Sequence, residues 1–212
     1  MKLYNRPFHW WGDMWTKPST RSLEDLIEQG VLTQFEADWL VSHIQTGGSL
    51  LVAAEASRSG KSTLAYALLE KLPVERERIY IRGTFEPFDW VMTARPEDVV
   101  LLVNEFSPDL PVYCWGLAAK RVLELSLQGY QVIGCMHGLD IAAITTQLSD
   151  PAVGATAAEI ASLDAIAFRN AELALGNRFN SLSAINLLSE DREHETVIST
   201  ELVISEHDLP VR

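Results

Sequence analysis

The sequence predicts an α/β fold with a mostly parallel central sheet, helices on both faces and an antiparallel β edge at the C-terminal end. Three observations carry this. From Ser49 onward, short apolar runs alternate with helix-length segments, the order of parts that builds a parallel sheet. The run Val99-Val100-Leu101-Leu102-Val103 is apolar without interruption, as expected of a strand covered on both faces. After Pro151 the pattern changes, and segments 163–170, 178–188 and 196–204 read as β segments of a closing, antiparallel edge. A chain of 212 residues with 47% hydrophobic content can bury one substantial core.

Residues 1–20 form an aromatic-rich arm that contains three of the six tryptophans, Trp10, Trp11 and Trp15. Two readings fit it: an extended arm packed on its own domain, or a docking segment for another subunit. Two helices follow. Ser22-Leu23-Glu24-Asp25 has a capping-box layout, Leu23, Leu26 and Ile27 share a face, and Gly30 ends the helix. Thr33-Gln34-Phe35-Glu36 repeats the layout, and Phe35, Trp39, Leu40 and Ile44 make an apolar stripe that stops at Gly47-Gly48. A strand over 49–54 and a helix over 61–72 come next, then a strand at 78–82, a loop over 83–94 and the strand at 99–103. A helix over 115–127 turns Ala118, Val122 and Leu125 inward and Lys120, Arg121 and Glu124 outward. A buried strand at 130–135 and a helix at 141–148 complete the alternation.

Between the first strand and its helix lies Glu55-Ala56-Ser57-Arg58-Ser59-Gly60-Lys61-Ser62-Thr63. Strand, small polar loop, Gly-Lys-Ser-Thr and helix N-terminus is the layout of a phosphate-binding loop. The first turn of a helix offers unpaired backbone N–H groups and the positive end of its dipole to an anion. Lys61 would reach the β- and γ-phosphates, and the Ser62 hydroxyl would hold a magnesium ion. The motif asks for glycine where Glu55 stands, which puts a negative side chain at the loop's opening.

Composition narrows the function. A formal net charge of −12 argues against nucleic acid as the main partner, because the phosphate backbone needs a basic surface. Cys114 and Cys135 lie in apolar contexts and read as reduced, buried residues. No apolar run approaches transmembrane length and the N-terminus lacks a signal-peptide layout, so a cytoplasmic protein is expected. Asn104-Glu105 caps the strand at 99–103, read as a neighbour of the phosphate-loop strand. A carboxylate there suits a magnesium ligand or a water-positioning acid, although an acid after a strand is also a common solvated loop residue. His137 follows the strand at 130–135 at the same end of the sheet, where it would sense a γ-phosphate by hydrogen bond or serve the structure.

With these residues in place, the chain resembles the traffic ATPases of type II and type IV secretion systems and type IV pili. The resemblance is to their C-terminal motor domain and runs over residues 23–188. Segments 22–33 and 50–69 are similar to the family's lead-in and its Walker A strand, loop and helix. Arg95-Pro96-Glu97-Asp98-Val99 through Asn104-Glu105 is similar to an atypical Walker B, Met136-His137 to a histidine box, and Gly176-Asn177-Arg178 to a motif near the domain's end. The resemblance implies a RecA-like P-loop NTPase of three layers over residues 21–212, with ATP and Mg2+ as cofactors. Ser57, Arg58, Ser59, Gly60, Lys61, Ser62 and Thr63 would bind nucleotide, Ser62 and Glu105 the metal. Glu105 would be the Walker B acid, His137 the histidine-box residue, and Glu86 the one close counterpart of the family's acidic box. It further implies ATP hydrolysis, a homo-oligomeric (hexameric) ring and partners in secretion or pilus machinery. The departures are Glu55, Asn104 in place of a glycine, an acidic box reduced to one carboxylate, and about 20 residues where the family carries an N-terminal domain that supplies arginines. Arg76, Arg78 and Arg95 are candidate replacements for those cations, or surface ion-pair residues. A second functional reading follows from the departures: a nucleotide-binding regulator or scaffold with little or no turnover.

Overall fold

The computed structural model describes residues 21–56, 59–174, 177–191 and 196–202; the arm at 1–20 lies outside them. Its strands are β1 (Leu50–Ala54), β2 (Glu77–Tyr80), β3 (Val99–Phe106), β4 (Gln131–His137), β5 (Ala165–Ala174), β6 (Asn177–Asp191) and β7 (Thr196–Leu202). Its helices are α1 (Leu23–Glu28), α2 (Gln34–Gln45), α3 (Lys61–Leu69), α4 (Gly116–Leu127), α5 (Ile141–Leu148) and α6 (Ala157–Ala161). The strands form one sheet in the order β2-β3-β4-β1-β5-β6-β7. The first five are parallel, and β6 and β7 add antiparallel pairings.

Strand alternation sorts the apolar runs into two cores. Leu50, Val52, Val100, Leu102, Ile133, Cys135 and Ala165 face α1, α2 and α3, while Leu51, Ala53, Leu101, Val103, Val132, Met136 and Ile166 face α4, α5 and α6. Both faces are covered, which is why these strands read as unbroken hydrophobic segments and why the molecule has three layers, helices–sheet–helices. Among the described residues no helix is long and apolar enough to cross a membrane.

The expected antiparallel edge begins one strand later than predicted. β5 pairs parallel to β1, from Leu50↔Ala165 to Ala53↔Phe168. Before it lies α6, a five-residue helix not foreseen from the sequence. Thr156 and Glu159 close a capping box on it, and together with α5 it makes up the crossover from β4, after which β5 re-enters in the same direction as β1. Lys120, expected to point outward from α4, instead reaches Glu159 at 2.6 Å, so α4 and α6 are held together.

Both predicted capping boxes at the start form. Ser22 Oγ accepts from the Asp25 N–H at 3.0 Å while the Asp25 carboxylate accepts from the Ser22 N–H at 2.8 Å, and Thr33 and Glu36 repeat the exchange. The stripe on α2 forms in part: Leu40 and Ile44 are buried as expected and Ala37 joins them, whereas Phe35 is 45% exposed. Trp39 stacks at 5.0 Å on His43, whose Nε2–H donates to the Ser49 carbonyl at 2.8 Å. The aromatic pair thus shields the link from α2 into β1 rather than filling the core.

Gln131, buried at the start of β4, ties this link to the sheet. Its amide nitrogen donates to the Ile44 and Gly48 carbonyls at 2.8 and 2.7 Å, and its oxygen accepts from Arg76 Nη1 at 2.7 Å. Gln131→Leu keeps the volume and strands these partners. An unsatisfied buried group costs roughly 1–3 kcal/mol, so a loss of stability of at least about that size is expected in urea unfolding of the variant.

Candidate functional site

β1 ends at Ala54, and the chain then turns through Glu55 to Gly60 before α3 begins at Lys61. Gly60 caps the helix with φ 87°, a left-handed conformation that glycine adopts without steric cost. At the first turn, Lys61 is buried to 6% exposure while Ser62 faces solvent and Thr63 is half-buried. Ser57 and Arg58 lie outside the described residues. Ser62 also sits beside the Cys135 thiol, which burial pushes up to about 12.

Glu105 arrives by a device the sequence does not display. β3 is longer than predicted and runs through Asn104 and Glu105 to Phe106. Val103 pairs with Gly134 and Phe106 with Met136, so three steps on β3 match two on β4. This bulge brings Phe106 back to the face that Val103 occupies and places two consecutive polar residues at the strand's end. Gly134 lies opposite it, where a Cβ would be 3.1 Å from both the Phe106 ring and Val103 Cβ and these would have to give way. β3 is also not the neighbour of β1, as expected from the sequence; β4 stands between them. The intervening strand is the one that carries His137 at its last position, level with Ala54.

His137 therefore bridges. Its Nδ1–H donates to the Glu55 carbonyl at 2.9 Å, its Nε2 lies 2.9 Å from Glu105 Oε1, and Lys61 Nζ approaches Nε2 at 3.2 Å. With Nδ1 committed as a donor, two arrangements satisfy the other nitrogen. In a neutral ring the Nε2 lone pair accepts from a protonated Glu105, and Lys61 Nζ, 3.4 Å from Nδ1 and 3.2 Å from Nε2, lies against the ring. In an imidazolium, Nε2–H donates to the Glu105 carboxylate. The proton in this contact can rest on either partner. Burial raises the Glu105 carboxyl above its ordinary value, and the positive charges of Lys61 and His137 offset only part of that. Burial likewise lowers Lys61, against the pull of Glu105. The group can hold and exchange a proton beside a cation at a helix N-terminus.

Glu86 is not brought into this cluster. Its Oε1 accepts from Trp90 Nε1 at 2.9 Å and from the Phe88 N–H at 3.3 Å, and its Oε2 from the Arg82 N–H at 3.1 Å, so the carboxylate organises its own segment. The three arginines considered as replacement cations are also engaged elsewhere. Arg76 bonds Gln131 and the Pro96 and Val99 carbonyls, Arg78 the Leu69 carbonyl, and Arg95 the Asp98 carboxylate. The cation that does meet the loop is Arg169 on β5, whose Nε donates to the Ser59 carbonyl at 3.0 Å. The sequence reading missed it because nothing in 163–170 marks an arginine within an apolar strand as different from a surface residue. A cleft of about 60 Å³ opens beside the loop, lined by Ser62, Tyr66, Tyr80, Asn104 and Cys135 among others.

No protein-family model matches the chain, and no curated protein does. Among solved structures, the VirB11 ATPase from the Brucella suis type IV secretion system, in complex with sulphate, is similar with a TM-score of 0.53 and 18% identity. The match covers 80% of this chain and 64% of that one. The ATPase DotB of Legionella pneumophila gives a TM-score of 0.47 and 16% identity over 74% of this chain and 50% of its own. The chain thus has the α/β fold seen in the VirB11 ATPase, and it spans less than two thirds of that protein's length.

Because the folded state holds the Glu105 pKa above its unfolded value, ionising this residue costs stability. The cost is absent below about pH 4.5 and develops as pH rises through the folded value. Glu105→Gln removes the cost. Because the substitution also withdraws the carboxylate's pull on Lys61, thermal melts should show the variant gaining on the wild type as pH rises from 4.5 to 8, whatever the offset between them at pH 4.5.

Proposed function

We propose that the loop at 55–63 binds ATP with Mg2+ and that the chain hydrolyses it to ADP and phosphate. The observation that carries this reading is the convergence of Lys61, His137 and Glu105 at the N-terminus of α3. Lys61 meets the β- and γ-phosphates, and the N–H groups from Ser59 to Thr63, with Ser57 and Arg58 before them, wrap the phosphate chain. Ser62 and Glu105 hold the magnesium ion, whose contribution is to neutralise phosphate charge. Their character fits: Ser62 is an exposed hydroxyl at the first turn, and Glu105 is a hard oxygen donor at the sheet's edge. Among the described residues no group of three or more His, Cys, Asp or Glu gathers, and magnesium would take its other ligands from phosphate and water. His137 and Glu105 share the proton that an attacking water must lose.

Likeness to the VirB11 ATPase supports a motor-like role in the cytoplasm, as a homo-oligomeric ring working with secretion or pilus machinery. A second reading is a nucleotide-binding regulator that turns over slowly or not at all. It is favoured by Glu55 at the loop's opening and by the engagement of Glu86 within its own segment.

Titration of the full chain with ATP, with and without magnesium, tests both. Lys61→Ala should abolish binding. Glu105→Gln should retain binding and lower hydrolysis by about 100-fold or more, the scale of a lost general base. Glu86→Ala should lower the melting temperature more than the turnover. Failure of the wild type to bind at millimolar ATP ends the nucleotide reading; binding without turnover selects the regulator. Light scattering with and without ATP reports on the ring.

A further inference from the structure

The phosphate loop rests against a buried charge whose hydrogen-bonding capacity is not used up. Arg169 is 4% exposed, and its Nε–H is spent on the Ser59 carbonyl. Its Nη2 lies so near Gly60 that a Cβ there would come within 3.1 Å. Its Nη1 is fully buried without a hydrogen-bond partner, and so is the hydroxyl of Ser59 on the same turn. Among the described residues Arg169 makes no salt bridge. Burial alone lowers its pKa, to about 10, so it stays charged at neutral pH.

A guanidinium held inside a protein without a counter-ion is costly, and so is an orphaned donor; an anion at this turn would relieve both. Lys61 cannot supply the whole countercharge, because His137 and Glu105 already draw on it. We propose that Arg169 and Ser59 form a second anion-binding element of the loop, and that Arg169 with Lys61 on the other side of Gly60 selects ligands carrying linked phosphates over a single phosphate. This rests on the reading of 55–63 as a phosphate site, and it gives that site a cation from β5, within the same chain, where Glu55 adds an opposing charge.

Calorimetric titration of the full chain with inorganic phosphate, pyrophosphate and ATP, in wild type, Arg169→Gln, Arg169→Lys and Ser59→Ala, provides the test. Wild type should bind pyrophosphate and ATP well above phosphate. Arg169→Gln should lose at least tenfold for both and narrow the preference over phosphate. Arg169→Lys, which keeps the charge, should recover part of it, whereas a residue that only braced the Ser59 carbonyl would lower affinity for all three ligands in proportion and leave the preference over phosphate unchanged. Wild-type affinity in Arg169→Gln overturns the proposal and leaves the nucleotide reading intact. Pyrophosphate binding without ATP binding does the reverse, and no binding of any of the three overturns both. Should neither Arg169 variant fold, Ser59→Ala decides: a loss of pyrophosphate affinity supports the element, and wild-type affinity overturns it.

Discussion

Burial of the Lys61 ammonium sets the terms for the whole C-terminal edge of the sheet. A cation at 6% exposure at the start of a helix, where the dipole is already positive, needs nearby groups that can absorb its charge. His137 does so by contact and Glu105 by its charge from beyond the imidazole, and each is in place only because of a feature of the sheet. β4 lies between β1 and β3, so the imidazole can touch the loop's first carbonyl and the carboxylate of the far strand together. The β3 bulge keeps Glu105 at the rim while Phe106 returns to the core. The loop, the histidine and the acid form one electrostatic unit held by strand order.

Much of this was legible. The Gly-Lys-Ser-Thr sequence after an apolar run identified loop, strand and helix start, and the two capping boxes at Ser22 and Thr33 fixed the entry to α1 and α2. The alternation of runs gave a parallel sheet. Less legible were the features decided by tertiary pairing. No local signal says whether the strand after Pro151 runs with or against β1, and α6, which completes the crossover after α5, is too short to stand out by periodicity. The bulge was invisible because its cause is register against β4. Phe35 and Trp39 show another limit: an apolar stripe states which face of a helix is greasy, but packing centred the buried face on Ala37, Leu40 and Ile44.

The placement of the candidate residues followed the same division. Lys61, Glu105 and His137 were found from position after strands, because strand ends of a parallel sheet gather at one edge. Glu86 sits in an equally promising loop, but Trp90, Phe88 and Arg82 occupy its oxygens. Arg169 escaped notice because its neighbour in space, Ser59, is 110 positions away. Contacts of that range arise from the pairing of β5 with β1 and carry no local trace.

The β3 bulge also bears on how such a chain can change over generations. Because the extra residue restores the alternation at Phe106, Asn104 and Glu105 are decoupled from the core on both faces of the sheet. A change of the acid to amide or to a shorter side chain leaves the apolar layers packed and falls on its contact with His137 and its pull on Lys61. The charge carried at this end of the sheet can therefore change by single substitutions, with the architecture as a fixed chassis.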